Sequence, residues 1–150
     1  MLEQDATNYK TYQHIHRVQQ IMNEVIKELL DRALRHDQSK LSTPEVELFT
    51  EHTPKLARCD YNSAEYKESL KLLQPALDHH YANNDHHPEH HKEGINDMNL
   101  FQIFEMLVDW KASSERQNNG NLNKSIIINA NRFNICPQLV KILENTAKVL

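Results

Sequence analysis

The residues best suited to chemistry begin at His36 and Asp37, where an imidazole and a carboxylate are adjacent, with the ammonium of Lys40 three residues further on. Neighbours on a regular helix diverge by about 100°, so the pair can bind one ion only where a helix ends or bends. A His-Asp pair by itself is common at surfaces and helix caps. Its interest comes from the other potential ligands in the chain, which are His14, the histidine-rich block from His79 to His91, and Asp109.

The composition indicates what kind of fold positions these side chains. A chain of 150 residues is long enough to bury a hydrophobic core, and we expect a single domain over residues 1–150. Only two glycines and five prolines occur, which favours long helices with few tight turns. The sequence therefore predicts an all-α fold.

Charge, hydropathy and cysteine usage exclude several classes of function. The net charge of −4 with neutral histidines gives no footprint for nucleic-acid binding. No basic leader is followed by an apolar run, and no apolar stretch approaches the roughly 18 residues of a membrane span. The two cysteines are too far apart for a CxxC zinc site or a disulfide framework. We expect a cytoplasmic protein with reduced thiols.

The first predicted helix, from about Asn8 to Leu34, carries apolar residues at spacings of three and four. His14 extends this stripe by one turn, whereas His16 points elsewhere, so His14 is the preferred inward residue. Its alternative role is that of a buried histidine with one hydrogen-bond partner. A short second helix is expected from Pro44 through Phe49, followed by a connection over residues 52–61.

A third helix is expected after a cap at Asn62 or Ser63, and His80 continues its apolar stripe while His79 is rotated off it. Pro75 should kink or split this helix. Beyond it, Asn and Asp residues and Pro88 predict a loop that contains His86 and His87. Two other interpretations of this histidine-rich block are a solvated polar loop and a tract that binds metal adventitiously.

A fourth helix, starting at Asn96 or Asp97, is apolar over more than half of its circumference and should be central. On it Glu105 and Asp109 are four residues apart on one face. Carboxylates are costly to bury on such a helix unless they are paired or bind metal, and ligation by Asp109 is favoured over a solvent-facing position. Residues 117–121 form a linker, and two more helices are expected over 125–133 and 137–150.

Histidines and carboxylates on separate helices are therefore predicted to converge in the middle of a helical bundle of about five to seven helices. The set is His14, His36, Asp37, His80 and Asp109, with His86 and His87 as additional ligands. Imidazole and carboxylate ligands suit one or two ions of Fe, Mn, Co, Ni or Zn, and the absence of thiolates argues against a structural zinc site. Two ions would activate a bridging water and hold both oxygens of an in-line displacement.

The order His … His-Asp … His … His … Asp resembles the HD superfamily of metal-dependent phosphohydrolases, and residues 36–40 resemble the HDxxK form of members that cleave cyclic dinucleotides. The glycine-and-proline tail of that branch is replaced here by Pro88-Glu89-His90. The chain is also similar, over most of its length, to a small family of uncharacterised phage and bacterial proteins. The motifs that carry this likeness are His36-Asp37-Gln38-Ser39-Lys40-Leu41, Ser63-Ala64-Glu65-Tyr66, His80-Tyr81, Asn84-Asp85-His86-His87-Pro88-Glu89-His90 and Glu105-Met106-Leu107-Val108-Asp109-Trp110-Lys111-Ala112.

The resemblance implies an HD-like helical domain and assigns roles to its matching residues. The core metal set would be His14, His36, Asp37 and Asp109, and a second ion would be held by His80 with one or both of His86 and His87. Lys40 would contact phosphate or the metal-bound hydroxide. Glu105 would orient a ligand histidine or act as a general acid or base. Arg116 and Arg132 are candidate phosphate clamps, or surface charges.

Three functions compete. The first is hydrolysis of a phosphate ester, most simply in a nucleotide, through a metal-activated hydroxide, with catalysis by Asp37, Lys40 and Glu105. The second keeps the same site but uses a di-iron centre to activate oxygen. The third is not enzymatic, and makes the chain a metal-binding protein or a phage interaction module.

Overall fold

The computed structural model describes residues 3–56, 63–116 and 120–150. Six α-helices and three short 3-10 turns account for most of these residues, and no strand occurs within these ranges. The prediction of an all-α fold with five to seven helices is thereby confirmed. The helices are α1 (Glu3–Arg35), α2 (Glu45–Leu56), α3 (Ala64–Asn83), α4 (Leu100–Glu115), α5 (Leu122–Arg132) and α6 (Pro137–Ala147).

The chain divides into two compact units, Met1–His36 and Asp37–Leu150. The first unit consists of α1, which is longer than the helix that the stripe of apolar residues predicts. Arg32 and Arg35 lie in its last turn, where positive charge interacts favourably with the negative end of the helix dipole. The expectation of a single domain stays a prediction.

In the second unit, α2 packs against α3, and Leu73 and Ala76 are buried on α3. The helix α3 continues through Pro75 without being split. The helix α2 also extends past Phe49 and includes Pro54, where a connection was predicted. His52 is buried within this extension, so the covered side of α2 continues past Phe49.

The hydrophobic core of the second unit is built by α4, α5 and α6. Buried apolar side chains from these helices and their flanking turns form one cluster, which consists of Met98, Met106, Leu107, Trp110, Leu122, Ile126, Ile135 and Leu143. Complete burial of one such side chain contributes about 1.5–3 kcal/mol. The cluster gives α4 the central place expected from its composition and holds that helix firmly in position.

The beginning of α4 differs from the prediction. A 3-10 turn spans Gly94–Asp97, and Asn99 is the N-cap instead of Asn96 or Asp97. The side chain of Asn99 accepts hydrogen bonds from the backbone N–H groups of Phe101 and Gln102, and the side chain of Gln102 accepts from the backbone N–H of Asn99. This reciprocal capping box provides hydrogen-bond acceptors for N–H groups at the start of the helix. A helix that began at residue 96 or 97 would lack these acceptors.

The side chain of Asn121 caps α5 by accepting a hydrogen bond from the backbone N–H of Lys124, so that helix begins at Leu122, three residues before its predicted start. The predicted cap at residue 62 and residues 117–119 of the predicted linker lie outside the described residues. No helix in the described part of the chain is both long and apolar enough to cross a membrane.

Candidate metal centre

A cluster of possible metal ligands lies where the turn before α2 meets the C-terminal end of α3. Asp37 is at the start of the 3-10 turn Gln38–Leu41, with φ of 57°. This left-handed conformation is uncommon for a residue with a side chain, although Asp adopts it more readily than most. It is stabilised by Lys40, whose backbone N–H donates to the Asp37 carbonyl at 2.9 Å and whose Nζ donates to Asp37 Oδ2 at 2.6 Å.

The carboxylate of Asp37 and three imidazoles converge, with His80 from α3 and both His86 and His87 from the loop that follows it. One ligand atom from each of the four residues lies within 4.8 Å of all the others. Asp37 Oδ1 is 3.4 Å from His80 Nε2 and 3.6 Å from His86 Nε2. Ligands about 2.1 Å from a tetrahedral ion lie roughly 3.4 Å from one another, so these distances match a shared ion.

The closest pair in this group of four is His80 Nε2 and His87 Nε2, at 2.8 Å. An ion between them would separate the two nitrogens by roughly half an ångström, which small ring rotations can supply. Three nitrogen ligands and one oxygen ligand suit Zn, Fe, Mn, Co or Ni, and the absence of sulfur among the four matches the chemistry expected from the sequence. A His/Asp cluster able to hold a metal ion is therefore present in the second unit.

Two further carboxylates orient two of these imidazoles. Glu45 is completely buried, and its Oε2 lies 2.8 Å from His80 Nδ1 while its Oε1 lies 2.7 Å from His79 Nδ1. Glu105 Oε1 lies 3.2 Å from His86 Nδ1. Because a carboxylate accepts, the network assigns the proton to Nδ1 of His80 and His86, which leaves Nε2 of each as the ligand atom. Carboxylate–histidine pairs of this kind orient metal ligands and increase their basicity.

The turn that carries Asp37 is joined to the end of α3 by Asn84 and Ser39. The side-chain nitrogen of Asn84 donates to Ser39 Oγ at 2.7 Å and to the His80 carbonyl at 2.8 Å. Asn84 is itself buried. These bonds fix the relative positions of the Asp37 turn and the imidazole of His80, which come from segments more than 40 residues apart in the sequence.

The electrostatics of the cluster favour neutral His80 and His87 and an ionised Glu45. Burial lowers the pKa of His80 and the charge of Lys40 lowers it further, against the opposing effects of Asp37 and Glu45. Burial lowers the pKa of His87 to about 3, and a positive charge on His86 or His80 would act in the same direction. Burial acts to raise the pKa of Glu45, but hydrogen bonds from His79, Ser39 and His80 outweigh it and lower that pKa. Neutral imidazoles bind an ion without first releasing a proton.

The remaining predicted residues are not members of this group of four. Asp109, on α4, lines a pocket that His87 and Arg132 also line. Arg132 is paired with Glu89 at 2.7 Å. Arg116 is exposed at the C-cap of α4. His14 is exposed on α1, and both it and His36 belong to the first unit, whereas the group of four lies wholly within the second.

Glu45 is the residue that the sequence did not identify as part of the site. Glu45 lies three residues after Ser42, which is the spacing of a capping box, and this local pattern by itself explains an acidic residue there. The histidines that it contacts follow 34 and 35 positions later. The packing of α2 against α3 makes these contacts, and no short-range pattern encodes it.

Comparison with known proteins identifies the family but no function. No curated protein and no solved structure matches the chain. The model of a family of unknown function, DUF5662, matches residues 3–149. Because this match covers nearly the whole sequence, the chain belongs to the DUF5662 family.

Proposed function

We propose that this protein is a metal-dependent phosphohydrolase that acts on a nucleotide or a related phosphate ester. The observation that carries the proposal is the group Asp37, His80, His86 and His87, whose ligand atoms lie within 4.8 Å of one another. The HD-like motif order supports the reaction class. A divalent cation bound there would polarise a phosphoryl oxygen and lower the pKa of a water molecule.

Lys40 provides the positive charge that a phosphate needs beside this group. Its Nζ is bound to Asp37 Oδ2. The Lys40 side chain is 42% exposed, so it can also contact a ligand that enters from solvent. An ammonium at this position both fixes the Asp37 carboxylate and attracts a phosphate dianion. Charge stabilisation by such positioned groups is the main contribution of proteins to phosphoryl transfer.

Glu105 holds His86 through Nδ1, which keeps Nε2 of that imidazole directed toward Asp37 Oδ1. Its side chain is only partly buried. We assign Glu105 the role of positioning His86. Where a substrate oxygen approaches it, Glu105 would also transfer a proton to the leaving group.

Metal loading followed by a phosphatase screen tests the proposal. Protein loaded with Mn²⁺, Co²⁺, Ni²⁺ or Mg²⁺ would be assayed with nucleotides, phosphate monoesters and phosphodiesters. We expect metal-dependent turnover, and we expect Asp37→Asn to lose both bound metal and turnover. Asp78→Asn is the matched control, because Asp78 is an exposed aspartate on α3 whose carboxylate bonds only to Gln74 among the contacts described.

Lys40→Met separates catalysis from metal binding. We expect turnover to fall about 100-fold while the metal content stays near that of the native protein, since removal of one charge-stabilising donor costs about this much. Fully loaded protein that hydrolyses no phosphate compound in the screen would contradict the proposed function.

A further inference from the structure

A pocket adjoins the group of four on the side of His87. It has a volume of about 240 Å³ and is lined by His87 together with residues of α4 and α5, including Asp109, Ser125, Asn129 and Arg132. His87 therefore borders both the pocket and the candidate metal centre. The pocket and the group of four are thus adjacent, with the His87 imidazole common to both.

The size of the pocket limits what it can hold. Sites for drug-sized ligands have volumes of about 300–1,000 Å³. At about 240 Å³ the pocket is smaller than this range, so it accommodates a single sugar or nucleoside-sized group. A dinucleotide would leave its second half outside.

The charges around the pocket are unfavourable for a second phosphate. Arg132 donates to Glu89 at 2.7 Å and its guanidinium lies 4.7 Å from the centre of the Phe133 ring, so its charge is already engaged. Because the charges of Arg132 and Glu89 offset each other, the carboxylate of Asp109 leaves the lining with a net negative charge. A second phosphate group here would meet this charge at close range.

The same lining is favourable for hydroxyl groups. The side-chain nitrogen of Asn129 donates to the Ser125 carbonyl at 3.1 Å, and this bond fixes the orientation of the amide. The side-chain oxygen of Asn129 takes no part in this bond and can accept another. The Asp109 carboxylate is a second acceptor and the Ser125 hydroxyl can donate or accept. Acceptors of this kind bind the O–H groups of a sugar.

We propose that this pocket binds the uncharged, hydroxyl-bearing organic group of a phosphate monoester, with its phosphate placed at the group of four. The proposal rests on the proposed function and narrows its substrate class. It predicts preference for monoesters of sugars or nucleosides over dinucleotides, and it makes Asn129 a residue that determines affinity for the organic group.

Steady-state kinetics of the Mn²⁺-loaded protein test this proposal, with nucleoside monophosphates, hexose phosphates and a dinucleotide as substrates. Asn129→Leu should raise KM for monoesters at least tenfold, change kcat less than threefold and leave the Mn²⁺ content unchanged. Ser125→Val, a smaller obstruction, should raise KM less. Asn131→Leu is the control, because Asn131 is exposed on the same helix and does not line this pocket. The two monoester series show whether a nucleoside or a sugar is preferred.

Unchanged KM in folded Asn129→Leu, or preference for the dinucleotide, would overturn the assignment of the pocket. If no phosphate compound is hydrolysed, the proposed function fails, and binding of ribose, glucose and uridine would test the pocket separately by amide NMR shifts. Shifts at Ser125 and Asn129 that disappear in Asn129→Leu would support the pocket. Absence of such shifts with all three compounds would overturn it.

Discussion

The histidine-rich block contains two sets of imidazoles that have similar sequence surroundings and different partners. His80 and His86 are buried, and each contacts a carboxylate through Nδ1. His90 and His91 instead contact backbone carbonyls, with His90 Nδ1 2.7 Å from the Tyr81 oxygen and His91 Nε2 2.8 Å from the Asp85 oxygen. The first set is arranged to bind an ion, and the second set fastens the loop that carries part of the first.

The 3-10 turn Pro88–His90 separates the two sets along the chain. His86 and His87 precede this turn and belong to the group of four, whereas His90 in the turn bonds to the end of α3 and His91 after it bonds to the loop. Histidine content alone would treat all of these imidazoles as equivalent ligands. The structure therefore distinguishes imidazoles that could hold one ion together from imidazoles that bond to the backbone. A specific site and an adventitious histidine tract make opposite predictions for single substitutions at these two sets.

The largest effect is expected from His80→Ala compared with His91→Ala. Removal of His80 takes away one ligand of the group of four and leaves Glu45 buried without that imidazole, so we expect affinity for Zn²⁺ or Mn²⁺ to fall at least about 100-fold. His91→Ala should change that affinity less than about twofold. Isothermal titration calorimetry of the metal-free proteins measures both values.

Binding by a histidine tract would give a different result. In that case the two alanine variants would lose similar shares of the bound metal, and several weak sites would remain in each. Equal losses would therefore invalidate the distinction between the two sets of imidazoles. Binding of one metal ion per protein that is lost in His80→Ala and kept in His91→Ala would support the distinction.

A smaller but more specific effect is expected from Glu45→Gln. The amide keeps the volume of the side chain but loses the charge that increases the basicity of His80, so metal affinity should fall about 10-fold to 100-fold. Nitrogen NMR of the metal-free protein should show His80 with its proton on Nδ1, and a weaker preference for that tautomer in the variant. Glu47→Gln is the control, since Glu47 is exposed on α2 and bonds to Thr43.

Retention of native metal affinity and of the Nδ1 tautomer in folded Glu45→Gln would show that Glu45 does not position His80. A loss of thermal stability without any change in these two measurements would assign Glu45 a purely structural role. Either result would show that the Glu45 carboxylate is not the feature that distinguishes His80 from His91.

The sequence predicted the helical fold and much of the local chemistry. Apolar spacing located α1, α3 and α4, because a helix with one buried side repeats its pattern every three to four residues. The boundaries were less accurate, as at Asn99, where a side-chain capping box determines the start of α4. The extension of α2 beyond Phe49 depends on packing against α3, which no local pattern contains.

For the site, the residue types were easier to predict than the partners. A mixture of carboxylate and imidazole suits transition metals, and on that basis the sequence pointed to Asp37, His80, His86 and His87. The choice between the inward and outward imidazoles, and the role of Glu45, depend on contacts between segments far apart in the chain. The roles predicted for His14, His36 and Asp109 as ligands stay predictions, as do those of Arg116 and Arg132.

The smallest effect is expected where the second set of imidazoles is removed. His90→Ala and His91→Ala each delete one hydrogen bond to a backbone carbonyl, and such a bond contributes about 0.5–1.5 kcal/mol to the free energy of unfolding. We expect the free energy of unfolding of each variant, measured by urea denaturation, to fall by that amount while metal affinity stays near the native value. Lys92→Ala, at the neighbouring exposed position, should leave both quantities unchanged. If His90→Ala instead lost metal at native stability, His90 would belong with the ligands, and the boundary between the two sets at Pro88 would be wrong.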